Sequence, residues 1–265
     1  MLARVYPQEL PLVGLRSGPE WMPAAEGRLT AMAKRFDREE LKARLREECP
    51  AVLASILFCD FGELKNELNK LEAAGVAAMH LDVMDGNFVP NISFGLPIVE
   101  AARRATDLPL DVHLMIANPG RFVDQYRAAG ADAMTIHVEA VHDPRPVLQQ
   151  IRELGAVAGL AINPPTPLSA IEASLPYCDM VLVMSVMPGF GGQKFDEVAL
   201  SKLRELSLRS DVDPLLEVDD GITAATIGPC ADAGAEVFVA GSSIIHSDDY
   251  ASAVDQLYSK AQRSI

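Results

Sequence analysis

The chain has 265 residues, of which 49% are hydrophobic, and a formal net charge of −14. That length and apolar content suffice for one large core, and the acidic balance repels a phosphate backbone, which excludes nucleic acid as a general partner. No apolar run reaches the length of a membrane span and the first residues lack the basic start of a signal peptide, so a cytoplasmic protein with no membrane partner is expected.

Residues 1 to about 30 show no hydrophobic period and hold several Gly and Pro, which predicts a loosely ordered extension. The stretch "FDREELKARLREECP" then reads as a helix near 38–48, with Asp37 as N-cap, Glu40 completing a capping box and Pro50 closing it. This places an N-terminal extension at 1–50, its helix covering the floor of a barrel domain at 51–265.

From Ala51 onward short apolar runs alternate with helical patterns. Strands are expected at Val52–Leu57, Ala77–Asp82, Leu110–Met115, Ala133–His137, Val157–Ile162, Met180–Val183, Leu215–Val218 and Val237–Ala240. Helical stretches between them include Phe61–Ala74, Pro119–Ala129, Val147–Leu154 and Ala199–Leu208, with apolar residues at three- and four-residue spacing. Eight β/α cycles in about 210 residues indicate a (β/α)₈ TIM barrel. The phrases "EAAGVAAMHL", "RAAGADAMTI" and "ADAGAEVFVA" each stop a helix at Gly and start a buried strand. A doubly wound sheet is the alternative, but no GxGxxG follows the first strand. Cys49, Cys59, Cys178 and Cys230 stand apart with no CxxC pair, so neither a disulfide framework nor a cysteine zinc site is expected.

Residues two apart in a strand point the same way, so His80 and Asp82 share a face at the end of the second strand, as do Asp111 and His113 in the third. The seventh strand ends in Asp219 and Asp220. If His80, Asp82, His113 and Asp219 all point inward, they form a set for one divalent metal, compatible with Zn, Fe(II), Mn or Co. The blander reading is a pair of buried histidines each satisfied by an acid. The second and seventh strands lie three steps apart around the ring, so Asp82 and Asp219 approach a central ligand from different sides. Epimerisation next to a carbonyl needs such a base and acid on opposite faces, with a metal to polarise the carbonyl.

Phosphate recognition is expected from "VMPGFGGQKF" after the sixth strand, through Gly189, Gly191 and Gly192, and from "AGSS" after the eighth, through Gly241 and Ser242. Met84, Met115 and Met184 stand at strand ends, where they either line the cavity or fill the core. His137 and Glu139 end the fourth strand with no partner in the sequence that marks them as ligands, and read as pocket or supporting residues; His142 and His246 read as loop positions.

The blocks "SILFCDF", "HLDVMDGNFVPNISFG", "DVHLMIANP", "VMSVMPGFGGQKF", "EVDDGI" and "VAGSSI" resemble, in order, those of the ribulose-phosphate 3-epimerase family, from Ser55 to Ile244. The resemblance implies a ribulose-phosphate-binding barrel and an isomerase of the pentose phosphate pathway. It would interconvert D-ribulose 5-phosphate and D-xylulose 5-phosphate through a cis-enediolate. His80, Asp82, His113 and Asp219 fall on the family's metal ligands, with Asp82 and Asp219 as its acid/base pair. Ser55, His113, Met84, Met115 and Met184 match substrate contacts, and Gly189, Phe190, Gly191, Gly192, Asp220, Gly221, Gly241 and Ser242 match the phosphate end. A homo-oligomer is implied as well.

The family pattern after the seventh-strand aspartate is Gly-Gly, and here the first position is Asp220. A carboxylate there either opposes a phosphate dianion or turns aside and offers only its N–H; the second is the expectation. Ala54, where the family usually has Pro, is expected to matter little. The alternatives are a 3-epimerase for a hexulose 6-phosphate such as allulose 6-phosphate, a decarboxylase or aldolase of the wider barrel group, and a catalytically silent phosphate-binding barrel. The second lacks a strand-end lysine, Lys194 lying within the glycine loop, and a silent barrel has no need of buried charges.

Overall fold

The computed structural model describes residues 35–190 and 192–262. The expected loose extension lies outside the described residues, as does Gly191. Eight parallel strands, β1 Ala51–Ser55, β2 Ala78–Met84, β3 Leu110–Met115, β4 Ala133–His137, β5 Val157–Ile162, β6 Met180–Met184, β7 Leu215–Asp219 and β8 Val237–Ala240, pair in chain order into a closed barrel. Around it run α2 Leu64–Ala73, α3 Leu96–Ala105, α4 Val123–Ala129, α5 Arg145–Glu153, α6 Val198–Ser207, α7 Ile227–Asp232, α8 Ser242–Ile245 and α9 Tyr250–Ala261, preceded by α1 Arg38–Glu47. Among the described residues no helix is long and apolar enough to cross a membrane.

Strands buried on both faces explain their near-continuous apolar runs. Outward residues such as Val52, Leu81, Val83, Val112 and Leu114 pack with the helices, while other strand residues, among them Leu53, Ala78, Val157, Leu215 and Val239, form a separate floor. Phe36, Leu41 and Leu45 belong to that floor. The Asp37 carboxylate caps α1 by accepting the Glu40 N–H at 2.9 Å, and burial of Leu41 and Leu45 stabilises the helix by about 1.5–3 kcal/mol each. Two buried carboxylates bind it further. Asp132 accepts the Phe36 N–H at 3.0 Å and the Arg103 guanidinium at 2.9 Å, and Asp179 accepts Arg38 Nε at 2.8 Å.

The strand ends differ from expectation where side chains cap them. β1 stops at Ser55, whose hydroxyl accepts the Leu57 N–H at 3.4 Å and opens a turn over Ile56–Phe58. β2 runs on to Met84 because Ser93 accepts the Met84 N–H at 3.0 Å and donates to the Asp82 carbonyl. After β5, 3-10 turns at Leu168–Ala170 and Glu172–Tyr177 replace a helix. Inside the barrel Gly159 of β5 faces Thr135 of β4, so closely that a methyl group at 159 would overlap the Thr135 hydroxyl.

Candidate active site

Inward alternation carries polar side chains up the barrel. His80, Asp111, Thr135 and Glu217 are buried midway, and Asp82, His113, His137 and Asp219 lie one step nearer the C-terminal mouth. In register Asp82 stands beside His113, and Met184 beside Asp219. The turn after β2 is held by Asp85, which accepts the N–H groups of Asn87 and Phe88 at 2.8 Å each and of Ala117, across on the β3 loop, at 2.7 Å.

The structure brings His80, Asp82, His113 and Asp219 together, with one ligand atom from each lying within 4.8 Å of the others. His80 Nε2 faces Asp82 Oδ1 at 3.3 Å and Asp219 Oδ2 at 3.7 Å, and His113 Nδ1 faces the same two oxygens at 3.3 and 3.5 Å. The outer oxygens are occupied: the Ser55 hydroxyl donates to Asp82 Oδ2 and the Asp220 N–H to Asp219 Oδ1, each at 2.6 Å. Beneath, Asp111 Oδ2 lies 2.6 Å from His80 Nδ1, which directs the Nε2 lone pair toward the cluster.

These residues fit a divalent metal. His80 Nε2 is buried without a hydrogen-bond partner, and two imidazoles and two carboxylates at this spacing match a first coordination shell. The electrostatics agree. Burial alone would raise the Asp82 carboxyl, but charged His80 and the hydrogen bond from His113 hold it well below the usual range. Burial likewise disfavours charge on His80, yet Asp82 and Asp111 raise its pKa well above the ordinary histidine value. Protons drawn to this acidic cluster are the ones a metal displaces. Burial, reinforced by the charge of Asp111, pushes Glu217 upward, and burial pushes His137 down to about 4.

Above the cluster opens a cavity of about 480 Å³ lined by Ser55, Asp82, Met84, Met115, Asp219, Asp220 and the loops after β6, β7 and β8. Gly189, Phe190, Gly192, Gly221, Gly241 and Ser242 all reach its wall, as does Lys194. Gly221 has φ +62° and packs on Phe195, where a methyl group would press the ring. Met184 differs from the other two methionines: it is fully buried with Ala161 and Leu182, and the cavity wall does not include it.

Asp220 also differs from expectation. Its backbone is left-handed, φ +67°, a conformation that Asp tolerates better than most residues, and its N–H is spent on Asp219. Burial first, and then the charges of Asp219 and Asp82, push its carboxyl up to about 9. Sequence reasoning did not assign Glu217 or the contact of His137 with His113. The alternation that places Glu217 two residues before Asp219 was a usable signal; the histidine contact joins two strands and leaves none.

A profile described as the Ribulose-phosphate 3 epimerase family matches residues 51–245. The chain is 44% identical over 210 residues to "Ribulose-phosphate 3-epimerase" of Bacillus subtilis (strain 168), covering 78% of this chain and 97% of that protein. It is 47% identical over 209 residues to "Ribulose-5-phosphate-3-epimerase, chloroplastic" of Arabidopsis thaliana, covering 77% of this chain and 74% of that protein. Among solved structures, KGPDC from Streptococcus mutans aligns with a TM-score of 0.64 at 14% identity, over 80% of this chain and 97% of that one, a likeness of fold. The match across the whole barrel, together with these relatives, shows that the chain belongs to the ribulose-phosphate 3-epimerase family.

Proposed function

We propose that the chain interconverts D-ribulose 5-phosphate and D-xylulose 5-phosphate, with Asp82 and Asp219 as the proton-transfer pair. One observation carries this reading: two buried carboxylates, from β2 and β7, meet at the foot of a cavity whose rim is built from glycine loops. His80, Asp82, His113 and Asp219 would hold one divalent ion, Zn, Fe(II), Mn or Co, which when bound polarises the C2 carbonyl and offsets charge on its oxygen. One carboxylate takes the C3 proton and the other returns a proton to the opposite face of the planar enediolate. Ser55 and the Asp220 N–H each occupy one oxygen of an acid, which orients the other toward the cluster.

The phosphate is assigned to the N–H groups of Gly189, Gly192, Gly221, Gly241 and Ser242, with Gly191 from outside the described residues and Phe190 beside them. Met84 and Met115 cover the apolar side of the intermediate. A homo-oligomer is part of the same proposal, checked by light scattering of the full chain.

The substrate assignment is tested by steady-state turnover on D-ribulose 5-phosphate and on D-allulose 6-phosphate with metal-loaded protein. The pentulose should show the higher kcat/KM, by about tenfold or more, the discrimination expected for one additional carbon unit. A higher kcat/KM for the hexulose would transfer the assignment to that substrate.

A further inference from the structure

We propose that His137 and Glu139 are positioning residues that hold the His113 ring with Nδ1 presented to the metal, an inference that rests on the metal reading above. His113 Nε2 lies 2.8 Å from His137 Nε2, and His137 Nδ1 lies 3.3 Å from Glu139 Oε2. Two ring nitrogens at that distance need one hydrogen between them. If His137 supplied it, a neutral His137 would turn its Nδ1 lone pair toward the Glu139 carboxylate.

Glu139 is held ionised. Burial would raise its pKa, but hydrogen bonds from His137, Thr166 and the Asn163 N–H outweigh that. The hydrogen of His137 therefore sits on Nδ1, facing Glu139, and His137 Nε2 accepts from His113 Nε2. This leaves the lone pair of His113 on Nδ1, the atom that faces Asp82 and Asp219. It is a carboxylate–histidine–histidine line that ends at a metal ligand.

The line is anchored at its far end. Glu139 Oε1 accepts the Asn163 N–H at 2.9 Å, and the buried ammonium of Lys202 on α6 donates to the carbonyls of Asn163 and Thr166 at 2.7 Å each and of Pro164 at 3.0 Å. Phe88 packs against the His137 ring, with centroids 4.9 Å apart. Neither the ring nor the carboxylate is free to turn.

Glu139→Gln tests this with almost no change of shape. The amide has one oxygen, which the Asn163 N–H claims, so its NH₂ faces His137 Nδ1 and drives the hydrogens along the line onto His113 Nδ1. His137→Phe removes the line altogether and serves as the second variant. Co(II) affinity of the full chain is measured by competition with a chromogenic chelator, alongside the visible spectrum of bound Co(II).

Both variants should bind Co(II) about 10–100-fold more weakly than the parent, with a shifted spectrum at saturation that a loss of stability alone does not produce. If either variant binds within about twofold of the parent, the positioning role is overturned. If the parent itself binds no Co(II), the metal reading fails and this inference fails with it.

Discussion

Asp82→Asn tests the acid/base assignment at a carboxylate whose two oxygens have separate partners. Oδ2 accepts the Ser55 hydroxyl at 2.6 Å, and Oδ1 faces His80 Nε2 and His113 Nδ1, each at 3.3 Å. An amide of the same shape has one oxygen for these two faces and presents NH₂ to the other. It cannot take a proton from carbon. The loss of general acid/base catalysis costs about 10²–10⁴ in rate, which corresponds to about 3–5 kcal/mol of barrier. The assay is turnover in both directions by NMR in D₂O with metal-saturated variant. Asp219 remains, so the epimer whose C3 hydrogen faces Asp219 should still exchange that hydrogen without inverting, while the other epimer should not exchange. Turnover within about tenfold of the parent, well inside the range such catalysis supplies, refutes the reasoning.

The other predictions concern the metal, the phosphate end and the barrel interior. Chelation should abolish activity, and Zn, Fe(II), Mn or Co should restore it; full turnover in protein shown by elemental analysis to be metal-free contradicts the ligand set. Asp220→Gly removes from the cavity wall a carboxyl that is charged only above about pH 9, so in that range it should lower KM for a phosphorylated substrate by about fivefold, the equivalent of about 1 kcal/mol between unit charges in a water-like medium. An unchanged KM means that the side chain does not meet the phosphate. Gly159→Ala drives a methyl group into the Thr135 hydroxyl and should destabilise the barrel by about 1–3 kcal/mol in urea unfolding, whereas an unchanged midpoint shows that β4 and β5 can separate there.

The barrel was legible because parallel strands covered on both faces read as apolar runs, and three of the helix ends before a strand repeat one glycine phrase. His80 and Asp82 were legible for the same reason: strand alternation makes a polar pair inside such a run conspicuous. What escaped depends on contacts between distant parts of the chain. Asp132 and Asp179 hold α1 against the floor through Phe36 and Arg38, 96 and 141 residues earlier, which no local pattern announces. His137 meets His113 only because β3 and β4 are neighbours in register. The orientation of Asp220 turned on a backbone detail, a left-handed residue whose N–H is taken by the side chain of Asp219. The sequence placed Met184 only at the end of the sixth strand, whereas the depth at which the cavity ends is set by packing with Ala161 and Leu182.

The most direct test of the central claim follows D-ribulose 5-phosphate with the purified, metal-loaded chain in D₂O by NMR. Proton return from a second carboxylate predicts xylulose 5-phosphate that carries solvent deuterium at C3. Product that retains the original hydrogen at C3, or neither product nor exchange, contradicts epimerisation by Asp82 and Asp219.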